Sequence, residues 1–511
     1  MSVAKILSAA VVGLDALPVE VEADVSAGLP VFNIVGLADK AVEESKERVR
    51  SAIKNSKAKM ADRRLTINLA PADLPKSGPA FDLSIAIGIL IATEQIPPNL
   101  DYHQNLFLGE LSLDGKLRNI NGILPIILMA KKRKISRIFL PEENLPEAQL
   151  IDGLEIYPVD SLKQLIYHLK NEKRIKSQKS LVQFRAEEIT NDDFDMAYIK
   201  GQEQAKRALE IAAAGAHNVL MSGPPGAGKT LLARAVPSIM PKLTGDESLE
   251  VSKIYSVAGL LSSEKPLISA RPFRSPHHTA SNISLVGGGQ HPKPGEVTLA
   301  HKGVLFLDEL PEFGRTVLEA LRQPLEDRVI TVSRASGTLQ FPAHFSLIAA
   351  MNPCPCGYLN DPRKECLCSP TQIIRYQKKI SGPLLDRFDI HIEVPQVKYE
   401  KLASEKVAET SAKIRRRVEG ARKYQRLRFK NAKISTNSEM RVQDIKEFCP
   451  IDSQSKNLLK TAVNQLNLSA RAYHRILKLA RTIADLENSE KIKSQQIAEA
   501  IQYRPKEQSI Y

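Results

Sequence analysis

Apolar and polar positions alternate with period two in VEVEADV (19–25) and in RLTINLA (64–70), which predicts half-buried strands. Other stretches are apolar without that alternation, and FDLSIAIGILIATEQI (81–96) is long enough to read as a helix. Strands mixed with helices in this way predict an α+β domain over residues 1–170. A charged stretch without glycine follows, NEKRIKSQKSLVQFRAEE, and predicts a linker over 171–191. From Asp192 helical and strand patterns alternate, the signature of an α/β core, here 192–399. After Tyr399 only helical periodicity remains, clearest in YHRILKLARTIADL (473–486), which predicts a helical lid over 400–511.

The start, Met1 to Leu17, is apolar enough to mimic an export signal, but Gly13 and Asp15 interrupt it and no clean cleavage site follows. Val11–Val25 therefore reads as folded strand material. No apolar run reaches membrane-spanning length, so a cytoplasmic chain without a membrane partner is expected. Among 511 residues, 72 Lys and Arg outweigh 58 Asp and Glu, a formal charge of +14. That excess suits a polyanionic partner through phosphate contacts and counterion release, with a solvated basic surface as the alternative.

Gly223-Pro224-Pro225-Gly226-Ala227-Gly228-Lys229-Thr230 fits the G-x-x-x-x-G-K-[ST] pattern in full, between the apolar strand NVLMS and the helix TLLARAV. Its glycines let backbone N–H groups curl around phosphates, and the helix N-terminus adds positive potential. Lys229 is expected to reach the β- and γ-phosphates of ATP, and Thr230 to ligate Mg²⁺. A second apolar strand, GVLFL, ends in Asp308-Glu309. Asp308 is expected to hold the Mg²⁺ shell, and Glu309 to orient and polarise the attacking water. A third strand, FSLIAAM, ends at Asn352, whose amide can sense the γ-phosphate. Arg387, in LLDRFD, is either a surface ion pair or an arginine that meets transition-state charge.

GPPGAGKT, GVLFLDELPEF, LRQPLEDRVITVSRASG, AAMNPCPCGY and LLDRFDIHIEV together resemble the magnesium-chelatase-like AAA+ family, in its competence-protein ComM (YifB-like) branch. The resemblance implies that Arg387 is a finger acting on a neighbouring subunit and that Arg471, in Ser469-Ala470-Arg471, is sensor 2 on the lid. Arg475, one turn further on, is the fallback for that role. It implies a homo-oligomeric ring, most simply a hexamer. It implies an ATP-driven translocase or helicase that migrates branched DNA during natural transformation, acting on single-stranded and branched DNA. A chelatase-like or regulatory ATPase that remodels a protein partner without DNA is the alternative.

Residues 1–170 resemble the proteolytic domain of Lon, with its ribosomal S5 domain 2-like fold. Where Lon carries P-K-D-G-P-S, this chain has Pro75-Lys76-Ser77-Gly78-Pro79-Ala80, so the nucleophile position holds Ala80. The positions expected to supply lysine hold Leu124 and Ile126. Lys76 and Ser77 are adjacent and do not face each other as a substitute dyad. Protease activity is excluded, and a scaffold or nucleic-acid platform is expected.

Cys354, Cys356, Cys366 and Cys368 form a C-x-C, nine-residue, C-x-C pattern, able to close a tetrahedral structural Zn²⁺ site, with reduced, redox-labile thiols as the alternative. Cys449 reads as a core residue. His277 and His278, read as extended chain, point to opposite sides and do not readily share a metal; packing and hydrogen bonding near the nucleotide or the subunit interface fits them better. Two segments look suited to gripping DNA. One is the glycine-rich, mobile insert Ser284–Gly295 with Lys293. The other is the predicted hairpin Val329–Phe341, with Arg334 near its tip. The lid stretch Lys413–Lys430 is basic, with Tyr424 and Phe429 interleaved, and suits either a nucleic-acid backbone or a solvated helix face.

Overall fold

The computed structural model describes residues 3–37, 39–98, 102–180, 194–289, 292–334, 337–359, 361–397, 399–402, 408–466 and 468–504. They fall into two compact units, Met1–Ala186 with Ser248–Ile268, and Glu187–Glu247 with Ser269–Tyr511. The segment Ser248–Ile268, read from sequence as part of the α/β core, thus belongs to the first unit.

The first unit holds β1 (Ala4–Val12), β2 (Asp15–Ser26), β3 (Phe32–Val35), β4 (Arg64–Ala70), β5 (Asn105–Phe107), β6 (Glu110–Leu111), β7 (Leu117–Arg118), β8 (Arg137–Pro141) and β9 (Glu155–Val159). Seven of them form one mixed sheet in the order β3-β4-β2-β1-β5-β8-β9. The alternation read from sequence is the burial pattern of β2 and β4: Val19, Val21, Ala23 and Val25 face the core with Leu65, Ile67 and Leu69. The helix Asp82–Ala92 is buried from Asp82 through Ile91, which is why its sequence shows no amphipathic stripe. Asp82 itself is held by Arg48 Nε at 2.7 Å and the Leu111 N–H at 3.2 Å. The first part of the expected linker is tied down, since Gln178 bridges to Ile156 on the outer strand; its remainder, 181–191, lies outside the described residues.

The second unit holds β10 (Val219–Ser222), β11 (Phe273–Arg274), β12 (Gly287–Gly288), β13 (Lys293–Pro294), β14 (Val304–Leu307), β15 (Val329–Arg334), β16 (Gly337–Pro342), β17 (Ser346–Met351) and β18 (Ile390–Glu393). Five run parallel in the order β11-β14-β17-β10-β18. Parallel strands are covered on both faces, and β14 accordingly is buried at all its positions. The lid helix Ala470–Leu486 is capped by Ser469 Oγ, which accepts from the Ala472 N–H at 3.2 Å. No described helix is long and apolar enough to cross a membrane.

Three sequence readings change. The described residues of the insert after Ser284 take regular structure, the short helix Asn282–Val286 and the antiparallel pair β12 and β13, while 290–291 lie outside the described residues. His277 and His278 sit in a turn, with the Ala280 N–H donating to His277 O at 2.9 Å, and their rings lie 4.1 Å apart instead of on opposite sides. The basic lid helix Ser411–Arg428 turns several cations inward. Arg417 pairs with Glu210 and Glu409, Arg422 donates to Ala213 O at 3.0 Å, and Arg428 pairs with Asp485. Phe429 is buried and unavailable for stacking on a base, whereas Tyr424 is exposed.

Candidate active site

In a parallel sheet the loops that follow the strands share one edge. The P-loop follows β10, Asp308 and Glu309 follow β14, and Asn352 follows β17, so three connections bring the acidic, basic and amide groups together. Gly226 and Gly228 take φ of +74° and +86°, and a Cβ at either would meet nothing within 4 Å. The loop is therefore an open cradle of left-handed glycines ahead of the helix Lys229–Ile239. Lys229 Nζ donates to Gly223 O at 2.6 Å, Pro224 O at 3.0 Å and Asn352 Oδ1 at 3.1 Å. Burial draws its pKa down, opposed by Asp308. Thr230 Oγ1 donates to Asp308 Oδ2 at 2.7 Å, so a hydroxyl and a carboxylate already converge as a hard-cation donor pair. These residues fit Mg²⁺ and a triphosphate.

Glu309 stands at φ 52°, ψ 46°, a left-handed turn that swings its side chain away from the strand direction. Its carboxylate meets His278 Nδ1 at 3.3 Å. Two glutamines that sequence reading missed brace the P-loop from outside. Gln202 Nε2 donates to Ala227 O at 3.1 Å and Gln396 Nε2 to Pro225 O at 3.0 Å. The only sequence signal for Gln202 was Gly201-Gln202 directly ahead of the helix Glu203–Gly215.

Arg387 and Arg471 stand elsewhere. Arg387 and Asp389 come just before β18, at the opposite edge of the sheet. Four residues of strand separate the two edges by about 13 Å, further than a side chain reaches. There Arg387 pairs with Glu326, Arg471 Nη1 lies 3.8 Å from Asp386, and Arg475 donates to Phe388 O at 3.0 Å. Arg328, Arg387, Arg471, Arg475 and Lys478 line one cleft of about 180 Å³ with Glu326. Burial lowers the pKa of Arg387, with Glu326 opposing and the neighbouring arginines adding to the fall. Four of the six catalytic candidates (Lys229, Asp308, Glu309, Asn352) thus meet within the chain, and the two arginines form a separate group.

The four cysteines of loop 354–368 come together, their sulfurs all within 4.8 Å of one another. Cys354 Sγ lies 3.4 Å from Cys356 Sγ and 3.6 Å from Cys366 Sγ. A tetrahedral Zn–S₄ unit requires sulfurs about 3.8 Å apart, so the donor set fits zinc. The Tyr358 backbone N–H pulls the Cys356 thiol down to about 6. The loop abuts the P-loop, because a Cβ at Gly357 would lie 2.5 Å from Pro225 Cδ. Cys449 is buried beside Met440, as a core residue.

Lys293 is exposed on β13 and Arg334 ends β15, which pairs with β16 from Val329↔Pro342 to Arg334↔Gly337. Residues 335–336 at that hairpin's tip lie outside the described residues. In the first unit Ala80 is partly buried against the cluster containing Leu124 and Ile126, which are 0% and 1% exposed. Lys76 is buried with its Nζ on Pro71 O, while Ser77 is exposed.

Comparison with known families matches residues 195–402 to magnesium chelatase, subunit ChlI; residues 21–144 to subunit ChlI of Mg-chelatase; and residues 408–504 to the ChlI C-terminal region. The competence protein ComM of Haemophilus influenzae is 44% identical over 508 residues, covering 99% of this chain and 98% of that protein. The chain belongs to the magnesium-chelatase-like AAA+ ATPase family, in its ComM branch. YifB of Escherichia coli K12, another relative in this branch, is 42% identical over 507 residues, 99% of this chain and 97% of its own length. Lon protease 2 of Bacillus subtilis is 30% identical over 123 residues, 24% of this chain and 22% of the protease. Membership of this AAA+ family implies ATP and Mg²⁺ as ligands.

Proposed function

We propose that this chain is an ATP-dependent DNA translocase that drives branch migration during integration of transforming DNA, working in the cytoplasm as a homo-oligomeric ring, most simply a hexamer. The observation that carries the reading is the division of its catalytic groups between two edges of one sheet, which only adjacent copies can bring together. Lys229 holds the β- and γ-phosphates in the glycine cradle. Mg²⁺, when bound, neutralises charge on the phosphate oxygens, and Thr230 with Asp308 would hold it. Glu309 orients the attacking water and takes its proton, and Asn352 aligns the γ-phosphate. Arg387 of the neighbouring subunit, with Arg471 beside it, meets the charge that develops in transfer.

The DNA half of the reading is supported by the formal charge of +14, by the two hairpins that carry Lys293 and Arg334, and by the ComM relationship. Lys293 and Arg334 contact phosphates, which sets grip without setting sequence preference. Cys354, Cys356, Cys366 and Cys368 hold a structural Zn²⁺ that stiffens the loop leaning on Pro225. The first unit contributes no peptide hydrolysis, since nucleophile and base are both missing.

The test is the ATPase rate without DNA, with single-stranded DNA and with a synthetic branched junction, with a labelled strand reporting displacement. Stimulation with strand movement, absent in Lys229→Ala, is expected. An assembled, hydrolysing ring indifferent to DNA would overturn the DNA reading and leave the ATPase assignment standing.

A further inference from the structure

Between the P-loop helix and β11, the chain makes an excursion that ATP hydrolysis does not require. Ser248–Ile268 leaves the ATPase unit and becomes part of the first unit. It enters on the helix Gly245–Ala258, where Ser248, Ser252 and Ser256 recur every fourth residue and are 4%, 0% and 2% exposed. That spacing sets three hydroxyls on one face of the helix. Each is used. Ser248 Oγ donates to Ile268 O, and Ser252 Oγ accepts from the Ile268 N–H at 2.8 Å, which folds the returning chain onto the helix.

Ser256 grips the old protease domain. Its Oγ donates to Glu147 and accepts from the Leu124 N–H at 3.3 Å, and its carbonyl accepts from the Gly122 N–H at 3.0 Å. The Leu124 N–H also donates to Glu147 Oε1 at 2.8 Å. Gly259, at φ +70°, ends the helix so close to Asn121 that a Cβ would lie 2.7 Å from Asn121 Nδ2. Lys253 pairs with Asp15 at 2.6 Å on the outside. Leu249 packs against the same buried cluster as Ala80, the cluster that contains Leu124 and Ile126. These are the positions at which a Lon-type domain would carry its serine and lysine. A working cleft there must stay open to a peptide, and here the chain's own segment is bonded to it.

We propose that the vestigial protease domain is the anchor of the motor: its former active-site floor holds Ser248–Ile268 so that shifts of the P-loop helix are delivered to the front domain. Only residues 240–244 separate the P-loop helix Lys229–Ile239 from the helix that is gripped, so little chain is available to absorb such a shift. Removing the Ser256 hydroxyl leaves the buried Glu147 carboxyl without one of its donors, which loosens the grip without touching the nucleotide. The inference rests on the ATPase reading above and is independent of DNA as the substrate.

Hydrogen exchange on the full-length chain tests it, comparing Glu309→Gln with ATP against the wild type with ADP. The Gly122 and Leu124 amides are expected to exchange at different rates in the two nucleotide states, and Ser256→Val is expected to erase that difference. In the same variant, hydrolysis without DNA stays within about twofold of wild type, because distant sites add independently. Strand displacement falls about tenfold, within the usual range of coupling between separate sites. Ser256→Ala, which removes only the hydroxyl, moves both readouts the same way by less. Equal exchange at Gly122 and Leu124 in both nucleotide states would overturn the anchor, whether or not the wild type moves DNA. So would undiminished displacement in a Ser256→Val protein whose Leu124 amide has lost protection.

Discussion

The two edges of the ATPase sheet are built on the same strands and carry opposite kinds of chemistry. At the carboxyl edge, Lys229 already bonds to Asn352 at 3.1 Å and Thr230 to Asp308 at 2.7 Å, so the groups proposed to bind nucleotide are held in place within the chain. At the amino edge, Arg387 is paired with Glu326 and Arg475 leans on Asp389, so cations of the catalytic type are held by local acids. The first edge gathers its proposed nucleotide-binding groups within one chain. The second, on the function proposed above, would be a contribution to the site of a neighbouring copy. If that proposal holds, preorganisation favours binding at the first, while activity of the second depends on assembly.

The largest effects belong to the carboxyl edge. Lys229→Ala should abolish nucleotide binding, measured by fluorescent-nucleotide titration. Glu309→Gln should bind ATP normally and lose hydrolysis by roughly 10²–10⁴-fold, the usual contribution of a positioned base; normal turnover there would remove Glu309 from the catalytic set. At the amino edge, Arg387→Ala should cut turnover by about 10³-fold while leaving ATP affinity intact. Wild-type turnover per chain should also rise with protein concentration as copies associate. A turnover that is flat with concentration and insensitive to Arg387→Ala would collapse the distinction between the edges.

Smaller effects sharpen the picture around the carboxyl edge. Stripping zinc with a chelator, or Cys366→Ser, should lower Tm by about 5 °C and weaken ATP binding through the loop that abuts Pro225. Metal analysis that finds no zinc in the purified chain would refute this. Lys293→Ala and Arg334→Ala should each reduce the salt slope of DNA binding by about one, with ATP hydrolysis in the absence of DNA unchanged.

The carboxyl edge was legible in the sequence because its chemistry is local. GPPGAGKT carries its own strand, turn and helix, and the apolar strands leading to Asp308 and Asn352 announce their own ends. The amino edge was half legible. Arg387 and Arg471 were singled out as candidates, but their association depends on parallel strand order and on a lid helix reaching the same edge, neither of which a period of apolar residues encodes. The geometry at His278 was misread because an extended chain was assumed where a turn forms, while the expected polar contact near the Asp308-Glu309 strand end is there: the imidazole lies 3.3 Å from Glu309. The basic helix Ser411–Arg428 misled in the other direction. Its arginines read as surface charge until Glu210 and Asp485, on other helices, and Glu409, just ahead of this helix, are brought against them. The serine stripe at 248, 252 and 256 went unread because three small polar residues resemble a solvated face unless the partner surface is known.

The division of the catalytic groups between opposite edges has a genetic consequence. If sites form between neighbours as proposed, a chain lacking Lys229 still offers a sound Arg387 to the next chain, and a chain lacking Arg387 still binds ATP. Two alleles of the same gene, one damaged at each position, would then rescue each other in a cell that expresses both. Two alleles damaged at Lys229 and Glu309 would not, because both lesions fall on the same side of the sheet.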